Sequence, residues 1–202
     1  GQILWTHAIV PDDSGFRPDT GDDRPFGELS ASDDLVAVRQ RDSTHIHVLD
    51  ARTGRRLSRV EVPGCVCVLA TGGRFFVGAA NDRGRFIVQA RDPATGALVW
   101  SQPLDLQVRN WHLTRVFADG GDMVFYTEGR LVRFDAAGRK VVFNEQVRSL
   151  GEAAFRREGG YLVLTGRDGE RWRTVCLEPG TGKTLFDEPL PQDSDRHACR
   201  FS

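Results

Sequence analysis

Residues 175–186 read "VCLEPGTGKTLF", and the run "LEPGTGKT" (177–184) inside them looks like a phosphate-binding loop. Such a loop is Gly-x-x-x-x-Gly-Lys-Ser/Thr, and it opens a helix whose N-terminus faces the phosphates. Here the first glycine position holds Leu177, and Lys183 leads into the strand-like "KTLFDEPL". A bound nucleotide is not expected.

The stretch instead recurs. "VLDARTGRRLS" (48–58), "QARDPATGALVW" (89–100) and "VRFDAAGRKVVF" (132–143) follow the same plan: a short apolar run, an acid, a small-residue turn and a second run. The acids Asp50, Asp92, Asp135 and Glu178 lie 42, 43 and 43 residues apart, and the closing aromatics Trp100, Phe143 and Phe186 lie 43 apart. "GQILW" is a partial copy that ends in Trp5. A fixed period of this length marks an internal structural repeat. Each turn predicts a β-hairpin, with Gly54, Gly96 or Gly182 in the left-handed conformation and the acid and Thr side chains bonding the turn backbone. The third copy places Gly138 where the others have Thr, so its turn is predicted to differ.

Two further strand-like runs fall between successive turns, and no segment has a helical period. Four short strands per period define an all-β fold, a β-propeller of four-stranded antiparallel blades. The blades are expected at about 28–61, 65–102, 107–145 and 149–188, in a single propeller spanning 1–202, with partial blade strands at 1–8 and 192–202.

On these turns the chain resembles the PQQ-like, or quinoprotein-alcohol-dehydrogenase-like, β-propeller repeats, whose pattern is a strand followed by acid-x-x-Thr-Gly-x-x-x-Trp. "RDPATGALVW" matches it, and "LEPGTGKTLF" matches with Phe186 for Trp. "LDARTGRRLS" keeps the turn but has Ser58 at the aromatic position, and "FDAAGRKVVF" loses the Thr-Gly pair. The resemblance implies rings of seven or eight blades. Four blades plus end strands are then expected to be part of a larger propeller, completed by remaining blades or by a partner; a compact five-bladed ring with one degenerate blade is the alternative. It also implies a periplasmic or extracellular location, with a cytoplasmic one left open. Relatives of this kind include outer-membrane assembly scaffolds and kinase-linked sensor domains.

The expected function is a non-catalytic binding or scaffold module that recognises a protein or ligand through rim loops. One alternative is a segment of a quinoprotein-type oxidoreductase whose cofactor site lies elsewhere, and another is a solute- or glycan-sensing propeller. Cofactor-binding members of the family use adjacent cysteines; this chain has Cys65-Val66-Cys67 and no Cys-x-x-Cys-His, so no cofactor is predicted. A net charge of -1 gives no global attraction to nucleic acid or anionic membrane, and no apolar run approaches the roughly 18 residues of a membrane span. No Gly-x-Ser-x-Gly motif or Ser, His and acid grouping points to nucleophilic catalysis.

Trp5 and Ser58 hold equivalent repeat positions but lie 53 residues apart, and the excess falls in "PDDSGFRPDTGDDRPFG" (11–27). This stretch reads as a rim loop and the first recognition candidate, through Asp12, Asp13, Arg17, Asp19, Asp22, Asp23 and Arg24. Its acids are the right chemistry for a calcium site, but the spacing fits no standard calcium loop and a solvated acidic loop is the favoured reading. Trp111 and His112 are channel candidates on the inner strand of the third blade, weighed against ordinary aromatic packing. His45, His47, Cys65 and Cys67 hold the inventory of a zinc site, but on strands that are not normally neighbours, so plain core is favoured. Cys65 and Cys67, two apart in a strand, are expected on one face and unable to pair. Cys176 with Cys199 is the preferred bridge, and four free thiols is the other reading.

Overall fold

The computed structural model describes residues 5–6, 26–40, 43–108 and 114–190. The chain divides into two compact units, Gly1–Gln107 and Val108–Ser202. Each described unit holds two four-stranded antiparallel sheets.

In the first unit, one sheet comprises β1 (Phe26–Ala31), β2 (Leu35–Gln40), β3 (His45–Asp50) and β4 (Arg56–Glu61). The other comprises β5 (Cys65–Thr71), β6 (Arg74–Ala80), β7 (Arg85–Arg91) and β8 (Leu98–Gln107). In the second unit the sheets are β9 (Arg115–Asp119), β10 (Asp122–Thr127), β11 (Arg130–Asp135) and β12 (Lys140–Gln146), then β13 (Gly151–Glu158), β14 (Tyr161–Asp168), β15 (Arg171–Leu177) and β16 (Thr184–Pro189). Every strand pairs with its neighbours in sequence, so each sheet is an up-and-down meander with the first and fourth strands as edges. No helix occurs among the described residues.

Burial is greatest in β3, β5, β6 and β10, which are buried at nearly every residue, with sequences such as "RFFVGAA" that are apolar without alternation, whereas β7 alternates. The fourth strands β12 and β16 are mostly exposed. In the first unit Ile46 and Val48 of one sheet share a core with Val68, Phe75 and Val77 of the other. Val124, Tyr126 and Leu131 pack in the same way with Leu162, Leu164 and Val175 in the second. Side chains of β1 also serve β5: Glu28 accepts from Val68 N–H (3.0 Å) and Ser30 from Ala70 N–H (3.0 Å), which satisfies edge donors of the inner strand.

Edge strands invite unwanted pairing unless they are broken or charged. β8 passes through Pro103, with a register shift between Arg85 and Ile87 of its partner, a position proline tolerates because the strand is an edge. Each fourth strand also carries a bulge at one repeat position. The ladder skips Leu57, Val99, Val142 and Leu185, the residue just before Ser58, Trp100, Phe143 and Phe186 respectively. A bulge twists the strand and stops regular pairing.

Candidate interaction surface

The repeated turn is built by its acid. Asp50 Oδ1 accepts from the N–H of Arg52 (3.0 Å) and Thr53 (2.8 Å) and from the Thr53 hydroxyl (2.8 Å). Asp92 does the same with Ala94 (3.1 Å), Thr95 (2.7 Å) and the Thr95 hydroxyl (2.8 Å). The backbone then closes from Gly54 N–H to Asp50 O (2.9 Å), from Gly96 to Asp92 (2.8 Å) and from Gly182 to Glu178 (2.7 Å). These three glycines have φ of 69°, 74° and 73°. The hydroxyl of the threonine, then its amide, holds the Asp50 and Asp92 carboxyls below the usual carboxylate range.

The third turn differs from the other three, as expected from Gly138 at the threonine position. Asp135 Oδ1 still accepts from Ala137 (2.9 Å) and Gly138 (2.8 Å). The left-handed residue is not Gly138 but Arg139, with φ of 54°. The geometry keeps that conformation four residues after the acid, whatever residue stands there.

The turns also receive the neighbouring blade. The Trp5 ring lies against Gly54, where an added Cβ would come 2.5 Å from it. Phe143 covers Gly182 in the same way, at 2.6 Å, and Val60 covers Gly96. The carbonyl just after Asp50, Asp92 and Glu178 accepts a bond from the preceding blade as well. Trp5 Nε1 donates to Ala51 O (2.8 Å), the Ser58 hydroxyl to Pro93 O (2.7 Å) and Arg133 Nη1 to Pro179 O (2.7 Å). Ser58 thus replaces the polar half of a tryptophan while Val60 replaces its apolar half. Arg133 is itself held by Asp122 (2.6 Å) and Asp119 (3.0 Å), and Arg157 closes on Asp119.

Against this pattern Phe186 stands out. Its equivalents Trp100 and Phe143 are 8% and 7% exposed, whereas Phe186 is 48% exposed beside Leu185 at 49%. The bulged Val99 and Val142 are also solvent-facing.

The other sequence candidates separate clearly. Asp12, Asp13, Arg17, Asp19, Asp22, Asp23 and Arg24 of the rim loop, and Trp111 and His112, lie outside the described residues. Among the described residues no three His, Cys, Asp or Glu side chains are grouped to hold a metal. Cys65 and Cys67 do not share a face as expected. The β5–β6 ladder shifts register between them, so Cys65 packs with the cluster of Val68 and Ala70 while Cys67 lies against Gly78 and Phe86. Burial pushes the Cys65 thiol up to about 12 and raises that of Cys67, so neither is a thiolate nucleophile. Cys176 is a buried free thiol, and its preferred partner, Cys199, lies outside the described residues.

Sequential four-stranded meanders, packed in pairs within each unit and each carrying a recurring turn between its third and fourth strands, define a β-propeller class of protein. The chain belongs to the family described as the outer membrane protein assembly factor BamB, a PQQ-type repeat family, which it matches over residues 42–199. No curated protein matches it. Among solved structures it is similar to BamB from Moraxella catarrhalis (18% identity, TM-score 0.49), over 79% of this chain and 60% of that one. It is also similar to the computationally designed Ika8 protein (18%, TM-score 0.55; 79% of this chain, 48% of that one). A third likeness is to the Pan2 WD40 domain of Neurospora crassa (12%, TM-score 0.57; 81% and 49%). The chain therefore spans about half to three-fifths of the length of these relatives. No helix among the described residues is long and apolar enough to cross a membrane.

Proposed function

We propose that this chain is a non-catalytic propeller module that binds a protein partner through its rim loops and works without a cofactor. The observation that carries this reading is membership, over residues 42–199, of the family of an outer membrane protein assembly factor. The rigid core of the described sheets supports it, because stiff elements hold loops in one geometry. So do the raised thiols, which take Cys65 and Cys67 out of nucleophilic chemistry. The proposed recognition element is the acidic stretch 11–27, and the proposed location is the periplasm or outside the cell.

The test is affinity isolation from the native source with two baits, the natural protein and one carrying Asp19, Asp22 and Asp23 each changed to Asn. A specific protein held by the first and depleted about tenfold or more on the second, the change expected from roughly 1.4 kcal/mol of lost binding, supports the reading. Equal recovery on both baits removes the loop from the account.

A further inference from the structure

We propose that the Asp168–Gly169 step is a site of spontaneous covalent modification, at which the aspartyl bond isomerises to isoaspartate, and that the change loosens a clasp holding residues 147–150 to the fourth sheet. The chain holds two Asp-Gly steps, Asp119–Gly120 and Asp168–Gly169, and their backbones are matched. Each aspartate ends a strand, β9 or β14, and pairs across a hairpin, with Asp122 or Arg171. Each leads into a left-handed glycine, at φ of 61° for Gly120 and 64° for Gly169. Neither glycine has anything within 4 Å of an added Cβ. A glycine in this place favours the reaction, because no side chain hinders its amide and its backbone bends readily.

What differs is the carboxyl. Asp119 is 3% exposed and is held by Arg133 (3.0 Å) and by Arg157. The Asp168 side chain is 40% exposed; it meets Arg148, itself 41% exposed, at 3.0 Å and Arg173 at 3.9 Å. Parting an exposed pair slows a reaction little, whereas parting a buried one slows it about a hundredfold or more. In the reaction the Gly169 amide nitrogen attacks Cγ of the protonated Asp168 carboxyl. The N–Cγ bond forms, and the amide proton leaves with the carboxyl hydroxyl as water, closing a succinimide. Water then adds at the Asp168 main-chain carbonyl and the C–N bond there breaks. The chain now runs through Cγ, the former main-chain carbonyl carries the carboxylate, and nothing is oxidised or reduced. Arg148 lies between β12 and β13 and is anchored on the fourth sheet by Asp168 and by Asp187 (2.6 Å). Moving the first carboxylate leaves Asp187 to hold Arg148.

The experiment incubates the purified chain for weeks at physiological temperature and pH, folded and in urea. Isoaspartate is located by peptide mapping with electron-transfer fragmentation and counted by methyl transfer from S-adenosylmethionine with an isoaspartyl methyltransferase as the probe. In the folded chain the expected rate at Asp168 is at least about tenfold that at Asp119. In urea the two rates should converge, because the dipeptide is the same and only the fold separates them. Equal rates in the folded chain, no isoaspartate at Asp168, or a gap that persists undiminished in urea overturns the proposal. Hydrogen exchange at the Leu150 amide, which donates to the Tyr126 hydroxyl, reads the clasp. Exchange several-fold faster in the chromatographically separated isoaspartyl fraction than in fresh protein is expected, and unchanged exchange overturns the loosening.

Discussion

Gly182→Ala separates the docking contact from ordinary turn chemistry. At φ of 73° the new side chain sits in the left-handed region, which costs about 1–2 kcal/mol for an L residue. Its Cβ also meets the Phe143 ring at 2.6 Å, and overpacking of this kind costs about 1–3 kcal/mol. The lower unfolded-state entropy of alanine returns about 0.4–1 kcal/mol. The net expectation is a destabilisation of roughly 1.5–4 kcal/mol. Gly120→Ala is the control, because Gly120 is also left-handed, at φ of 61°, but has nothing within 4 Å of an added Cβ. It retains only the backbone cost, about 0.5–1.5 kcal/mol. Urea denaturation at equilibrium reads both, through a shift in midpoint at constant slope. Adding Phe143→Leu makes room for the new methyl, so the double variant should be more stable than the sum of the singles predicts. Gly182→Ala within about 0.5 kcal/mol of Gly120→Ala would refute the docking argument.

Three further outcomes follow from other positions. Arg139→Gly removes a left-handed non-glycine residue and should stabilise by about 0.5–1 kcal/mol in the same assay, the backbone relief less the entropy cost of glycine. Tyr126 is fully buried, and its hydroxyl accepts from Leu150 N–H (2.5 Å) and reaches Arg148 O (3.0 Å). Tyr126→Phe therefore strands a buried donor and should cost about 1–3 kcal/mol by urea midpoint. The depressed carboxyls of Asp50 and Asp92 contribute stability that is complete above their unfolded value and lost as pH falls through the folded one. In acid titrations of stability, Thr53→Val and Thr95→Val should bring those carboxyls back toward the unfolded value and make the acid loss shallower. An unchanged acid limb would show that the threonine hydroxyls do not set it.

The blades were legible because a period of 42–43 residues links the four acids and three of the four turns keep a glycine four residues after the acid. What the sequence hid is local. Gly138 in "DAAGR" stands at the threonine position, so the sequence showed that the third turn differs but not how: the acid sets the count, and Arg139 takes the left-handed site. The bulge at Val66 turns Cys65 and Cys67 to opposite faces, which simple alternation cannot foresee. Ser58 read as a lost aromatic, but its hydroxyl and Val60 share out the two contacts that Trp5 makes alone. Phe186 was legible as a repeat residue, but its exposure required the packing of its equivalents for comparison. The rim loop 11–27 rested on a departure from the period, and Trp111 and His112 on their assignment to an inner strand; residues 11–25, Trp111 and His112 fall outside the described residues, while Phe26 and Gly27 already belong to β1 rather than to a loop.

The most direct measurement of the central claim is calorimetric titration of the purified protein with the partner that affinity isolation retains. The account predicts saturable binding to the natural chain, weakened about tenfold or more by neutralising Asp19, Asp22 and Asp23, with the urea midpoint unchanged. Equal affinity for both forms, or no binding to either, would contradict a module that recognises its partner through that loop.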